Sequence, residues 1–166
     1  IVGKDLPLMR RADGIKLWGS AGTLIEGNLM ERTSDLVVWY SARVTIRGNV
    51  ARDSRYGIHF MYSSNSLIEG NTLLDNRVGA FLMNSHRLVF RNNLIARNRG
   101  PSGYGLGLKD IDGISITGNR FVANRVGLYA TNSPTEMGIT HERLHLGWTA
   151  RVPDVLADVQ PDARLA

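Results

Sequence analysis

Three residues stand out for what they could hold together: His59, Met61 and Met83. Side chains two apart in an extended strand point the same way, so His59 and Met61 share a face. Met83 lies 22 residues beyond Met61, and in a stack of parallel coils with that repeat it sits one strand step, ~4.8 Å, away. Two thioethers and one imidazole, without any cysteine in the chain, form a soft donor set that selects Cu(I) over zinc or magnesium. An open site without thiolates suits transient handover of the ion rather than tight storage. The same residues also suit a protein contact, because Met and aromatic side chains are favoured in adaptable interfaces. Trp18 and Trp39 fall in one column with Met61 and Met83, and Phe81, Lys109 and Tyr129 fall beside or beyond them. A solvent-facing column should be polar, so this one marks Trp18, Trp39, Phe81, Lys109 and Tyr129 as partner-binding residues.

Other constellations carry less. His141-Glu142-Arg143-Leu144-His145 matches the H-E-x-x-H pattern, which on a helix presents two imidazoles to zinc with Glu as base. No Glu follows Glu142 to complete the ligand set, and the surrounding pattern is not that of a metalloprotease. Carbohydrate-cleaving sites need an acid and a partner carboxylate. Glu26 and Glu69 occupy equivalent positions two coils apart with Arg47 between them, which reads as a charge ladder. Lys109, Asp110 and Asp112 cluster near a loop and stay open as an alternative. With no close unneutralised carboxylate pair and no nucleophile–base pairing, the expected protein is not an enzyme.

The elements that position these residues follow from a repeat. Asn28, Asn49, Asn71, Asn93 and Asn119 recur at intervals of 21, 22, 22 and 26 residues, each after a glycine or, at Asn93, after Asn92. Fourteen residues before each anchor stand Gly14, Asp35, Gly57, Gly79 and Gly105. Between opening and anchor lie two short runs of period-two alternation, and a third inward position (Met30, Ala51, Leu73, Ile95, Phe121) follows each anchor. Three short strands per coil of about 22 residues predict an all-β, right-handed parallel β-helix filled by apolar columns. The anchor asparagines tolerate left-handed backbone angles and can hydrogen-bond along a ladder, as can Asn76, Asn98 and Asn124. The expected organisation is a lead-in over residues 1–13, the β-helix over 14–134 and a non-repeat tail over 135–166 that could cap the last coil. The segment Arg99-Gly100-Pro101-Ser102-Gly103-Tyr104 lengthens one coil and should bulge as a loop, either a contact site or a tolerated insertion.

Composition sets outer bounds. The chain has 166 residues, 43% of them hydrophobic, with 18 glycines and a formal net charge of +5, which fits one turn-rich domain. No apolar run reaches the ~20 residues of a membrane helix. The arginines read as dispersed along the chain, not as the aromatic-laced basic stripe of a nucleic-acid binder.

The stretches GIHFMYS (57–63), FLMNS (81–85), GPSGYGLGLKD (100–110) and NRVGLYATNSP (124–134) resemble the NosD family, over residues 14–134. The resemblance implies a periplasmic accessory, substrate-binding subunit of a copper-linked ABC transporter that assists maturation of the copper centre of nitrous-oxide reductase. It implies a permease, its ATPase and a copper chaperone as partners, no nucleic acid, and contact with the membrane only through those partners. No cofactor is expected to be tightly bound; Cu(I) is expected only in passing. A carbohydrate-binding or carbohydrate-processing β-helix is the alternative reading.

Overall fold

The computed structural model describes residues 1–131. The tail, its suggested capping role and the H-E-x-x-H match lie outside the described residues. Within them the chain is a parallel β-helix of about five coils of roughly 22 residues. The first coil holds β1 (Ile15–Trp18), β2 (Leu24–Glu26) and β3 (Leu29–Glu31); the second holds β4 (Asp35–Trp39), β5 (Thr45–Arg47) and β6 (Val50–Arg52). The third holds β7 (Tyr56–Met61), β8 (Ser64–Glu69) and β9 (Thr72–Leu74). In the upper coils the first two runs fuse into single bent strands, β10 (Val78–Arg91) and β12 (Tyr104–Thr117), followed by β11 (Leu94–Ala96) and β13 (Arg120–Val122). β14 (Val126–Thr131) opens the next coil. The fusion is a departure from three separate strands per coil. Asn84 and Arg87, and above them Asp110 and Gly113, take left-handed angles at the bend. Pairing nevertheless continues through it, as in Ser85 with Ile111 and His86 with Asp112.

The bore is filled as the alternation predicts. Leu36, Val38, Ile58, Phe60, Ala80, Leu82, Leu106 and Leu108 form one buried wall, and Ile46, Ile68, Phe90, Leu73 and Ile95 close the other sides. Each inward position stacks on its equivalent one coil away, so every coil hides its neighbour's apolar surface. The anchor asparagines after Asn28 are buried, and the side-chain carbonyl of each accepts from the backbone N–H and the amide of the asparagine one coil below. Their amides also reach main-chain carbonyls, such as Asn71 Nδ2 to Ile46 O at 2.9 Å. The second ladder behaves alike, with Asn76 N donating to Asn98 Oδ1 and Asn98 N to Asn124 Oδ1. Turn polarity that would otherwise be unpaired inside the fold is satisfied in this way.

One coil is irregular where it bears on function. β1 meets β4 with Leu36 opposite Ile15, but β4 meets β7 with Asp35 opposite Tyr56 and Val37 opposite His59. The extra residue that lengthens the coil is therefore a bulge at Gly57-Ile58, opposite Leu36 and next to Asp35. The sequence alignment of Asp35 with Gly57 is one residue out of register.

Candidate functional site

The register places the outer column of the first face as Trp18, Trp39, Met61, Met83 and Lys109 in succession. The parallel column holds Lys16, Val37, His59, Phe81, Gly107 and Tyr129. The structure thus sets Met61 directly beside Met83 on adjacent strands, and His59 two residues before Met61 on the same outer face. Met61, Met83 and His59 are all half-buried.

A residue the sequence reading passed over completes the arrangement. Asp35 is fully buried beside the bulge, and its carboxylate meets His59 Nδ1 at 3.1 Å. Arg55 forks onto the same carboxylate, with Nε 2.9 Å from Oδ1 and Nη2 2.6 Å from Oδ2. Burial pushes the Asp35 acid upward, but hydrogen bonds from His59 and Arg55 outweigh it and hold the group below its ordinary value. The ionised carboxylate can only accept, so Nδ1 carries the proton and the lone pair of a neutral His59 lies on Nε2. A carboxylate behind the far nitrogen is the usual support of a metal-binding imidazole, because it fixes both tautomer and ring orientation. Asp35 stands 24 residues before His59 and in the place of a repeat glycine; it reaches the imidazole diagonally, from two residues before Val37, the strand partner of His59.

Aromatic rings wall the site. Trp39 meets the His59 ring edge-on at 5.9 Å, and Tyr56 lies against its other side at 4.6 Å. Trp18 packs on Trp39 at 5.4 Å, and Lys16 sits 5.3 Å from the Trp39 ring centre. Phe81 lies between Tyr56 and Tyr104, and Tyr104 stacks on Tyr129 at 4.5 Å. Trp18 and Tyr129 are exposed, whereas Trp39, Phe81 and Lys109 are half-buried against their neighbours. Tyr40 and Tyr62, also passed over, follow the column residues Trp39 and Met61 by one. Both take left-handed angles, and they stack at 5.0 Å in the open. Their shared offset from the repeat was visible in the sequence; their left-handed backbone was not.

The other groups fall elsewhere. Glu26, Arg47, Glu69 and Arg91 form the expected charge ladder, with Arg47–Glu26 and Arg91–Glu69 contacts of 2.8 Å each. Asp110 sits at the left-handed bend, 3.4 Å from Asn84 Nδ2. Among the described residues no three His, Asp or Glu side chains converge on a point that could hold a metal ion.

A family model described as periplasmic copper-binding protein (NosD) matches residues 1–144. The chain belongs to the NosD family. The match includes every strand of the solenoid and the His59–Met61–Met83 face, and it extends beyond the 14–134 stretch that carries the resemblance in the sequence. Neither the comparison with curated proteins nor that with solved structures finds a match. No helix of the described residues of this NosD-family chain is long and apolar enough to cross a membrane.

Asp35→Asn tests the support behind His59. An amide cannot replace the doubly engaged carboxylate, and the Arg55 side chain is 40% exposed, so a loss of about 1–3 kcal/mol is expected. The pH dependence has a definite sign. The folded acid lies below the ordinary aspartate value of 3.8, so its contribution is fully present above that value and is lost as pH falls beneath it. Thermal melts from neutral pH down to the acid range should show a shallower acid decline for the variant than for the parent.

Proposed function

We propose that this chain is a periplasmic copper-handling subunit that receives Cu(I) as cargo on the His59, Met61 and Met83 face. The observation that carries the reading is the Asp35–His59 contact, which leaves the Nε2 lone pair for a metal on the outer face that also presents Met61 and its strand partner Met83. The donor set fits a soft monovalent ion, and the family description names copper. Trp39 and Tyr56 flank the imidazole and would limit water access, and an indole face can favour a cation. The finer role follows the family: an accessory subunit of a copper-linked ABC transporter, working with a permease, its ATPase and a copper chaperone toward the copper centre of nitrous-oxide reductase. Trp18, Trp39, Phe81, Lys109 and Tyr129 would then be the surface on which such a partner docks. The carbohydrate reading has weaker support, because Tyr40 and Tyr62 stack face to face at 6° and spend on each other the ring faces a sugar would need.

The test is the double substitution Met61→Leu and Met83→Leu, which keeps apolar bulk and removes both sulfurs. Cu(I) affinity measured by competition with a chromogenic chelator should fall by at least about tenfold, the loss expected when soft ligands worth more than about 1.4 kcal/mol are removed. Equal affinity in variant and parent would falsify the copper site.

A further inference from the structure

On the turn that leads into the strands of the first face, the arginines that read as dispersed come together. Arg55, Arg77, Arg99 and Arg125 occupy equivalent positions on successive coils, as their backbone bonds show: Arg77 N to Ser54 O, Arg99 N to Asn76 O and Arg125 N to Asn98 O. Two of them, Arg77 and Arg99, line an open groove together with Arg11, Arg32 and Arg97, against two carboxylates, Asp53 and Asp75. Asp75 is already taken by Arg97, whose Nε and Nη2 lie 2.8 and 2.6 Å from it.

Elsewhere the solenoid neutralises coil-to-coil arginines in a regular way. Arg47 pairs with Glu26, Arg52 with Glu31, Arg55 with Asp35 and Arg91 with Glu69, each acid on the coil below. Arg77 and Arg99 break the pattern. The residue one coil below Arg77 is Arg55, and the one below Arg99 is Arg77, so like charges stack at a strand step. Among the described residues neither has a carboxylate within ion-pair distance. Arg32 Nε is buried without a hydrogen-bond partner, although its Nη1 lies 3.3 Å from Glu31. The loop that lengthens the fourth coil closes this groove: Gly100 packs on the backbone of Arg77, and Pro101 O accepts from Arg125 Nη1.

We infer that the Arg77–Arg99 groove is a docking site for an acidic, extended peptide segment of a protein partner. Guanidinium forks match carboxylates in two-point contacts, as Arg97 and Arg55 already do within this fold. The walls run from Arg32 through Asp53 and Asp75 to Arg97, three coil steps or ~14 Å. That length is too great for one small anion and covers about four extended residues. Among the described residues no aromatic ring lines the groove, which removes the stacking platform that single-stranded nucleic acids use. Leu8 and Pro101 add apolar surface suited to a polypeptide. The inference is independent of the copper reading, since the two sites share no residue.

The test is fluorescence anisotropy with a labelled peptide of about eight Asp and Glu residues at low salt. The parent should bind it, and Arg77→Gln with Arg99→Gln should weaken Kd by at least about tenfold. The control pair Arg43→Gln with Arg120→Gln removes the same net charge from exposed positions outside the groove and should change Kd by less than about twofold. Arg77→Lys with Arg99→Lys, which keeps charge and stem, should also weaken binding by losing the forks. Matching near-ultraviolet circular dichroism shows that each variant is folded. The inference is overturned by absent peptide binding, by equal losses in the groove and control variants, by unchanged binding in the lysine variant, or by tighter binding of an equally charged oligothymidine or oligouronate through Arg77 and Arg99.

Discussion

Gly79→Ala is expected to destabilise this protein by about 3–5 kcal/mol, enough to leave much of it unfolded. Gly57, Gly79 and Gly105 open successive coils, and the carbonyl of each stands over the α-carbon of the one below. A methyl group on Gly79 would lie 2.5 Å from the carbonyl oxygen of Gly105 and 2.6 Å from Ile95 Cγ2. Neither can yield cheaply. The carbonyl belongs to the strand framework, and Ile95 is fully buried in the bore. Relief would require prising two coils apart, which breaks the pairing of β10 with β12 on one side and opens a cavity on the other. Gly48→Ala is the matched control. Gly48 has φ +61° with open space around it, so only left-handed strain of about 1–2 kcal/mol is expected. Denaturant titrations of both variants compare the two terms directly. If Gly79→Ala costs no more than Gly48→Ala, the close approach of the coils at the opening glycines is wrong.

Asn71→Ala should follow at about 2–4 kcal/mol. Asn71 Oδ1 accepts from the backbone N and the amide of Asn49, while Nδ2 donates to Ile46 O and Asn93 Oδ1. Alanine removes all four bonds and leaves the Asn49 N–H and the Ile46 carbonyl without these partners in a buried turn, each worth about 1–3 kcal/mol before relaxation. Asn28 ends the ladder and is only half-buried, donating to Glu26 O and to Asn49 Oδ1. Asn28→Ala should cost about 1 kcal/mol, because water reaches the groups it leaves. A graded loss, large at Asn71 and small at Asn28, distinguishes a continuous buried ladder from isolated turn asparagines; equal small losses would dismiss the ladder.

The solenoid was written in the linear chain because its contacts are local in a special sense. Each coil touches the next at an almost constant offset, so alternation such as Ile58/Phe60 and Leu82, repeated at 22, defines both the inward face and the partner. This near-constant offset sets Met61 beside Met83, 22 residues apart, and Trp18 beside Trp39, 21 apart. Specific stretches such as GPSGYGLGLKD (100–110), not the period, carried the resemblance that the family match bears out. What the period could not convey lies where the chain departs from it. The bulge at Gly57-Ile58 shifts register by one, and the Asp35–His59 contact beside it is diagonal, from the residue two before His59's strand partner Val37, which an alignment of equivalent positions does not pair. The fusion of strands in the upper coils was not legible either: Asn84 and Arg87 are left-handed at the bend, but so are their equivalents Tyr62 and Asn65 one coil below, where the strands stay separate. The arginine column was hidden for a related reason. A linear reading weighs charge by neighbours in sequence, whereas Arg77 and Arg99 meet across a coil, and whether an acid lies beneath each is decided only when the turns stack.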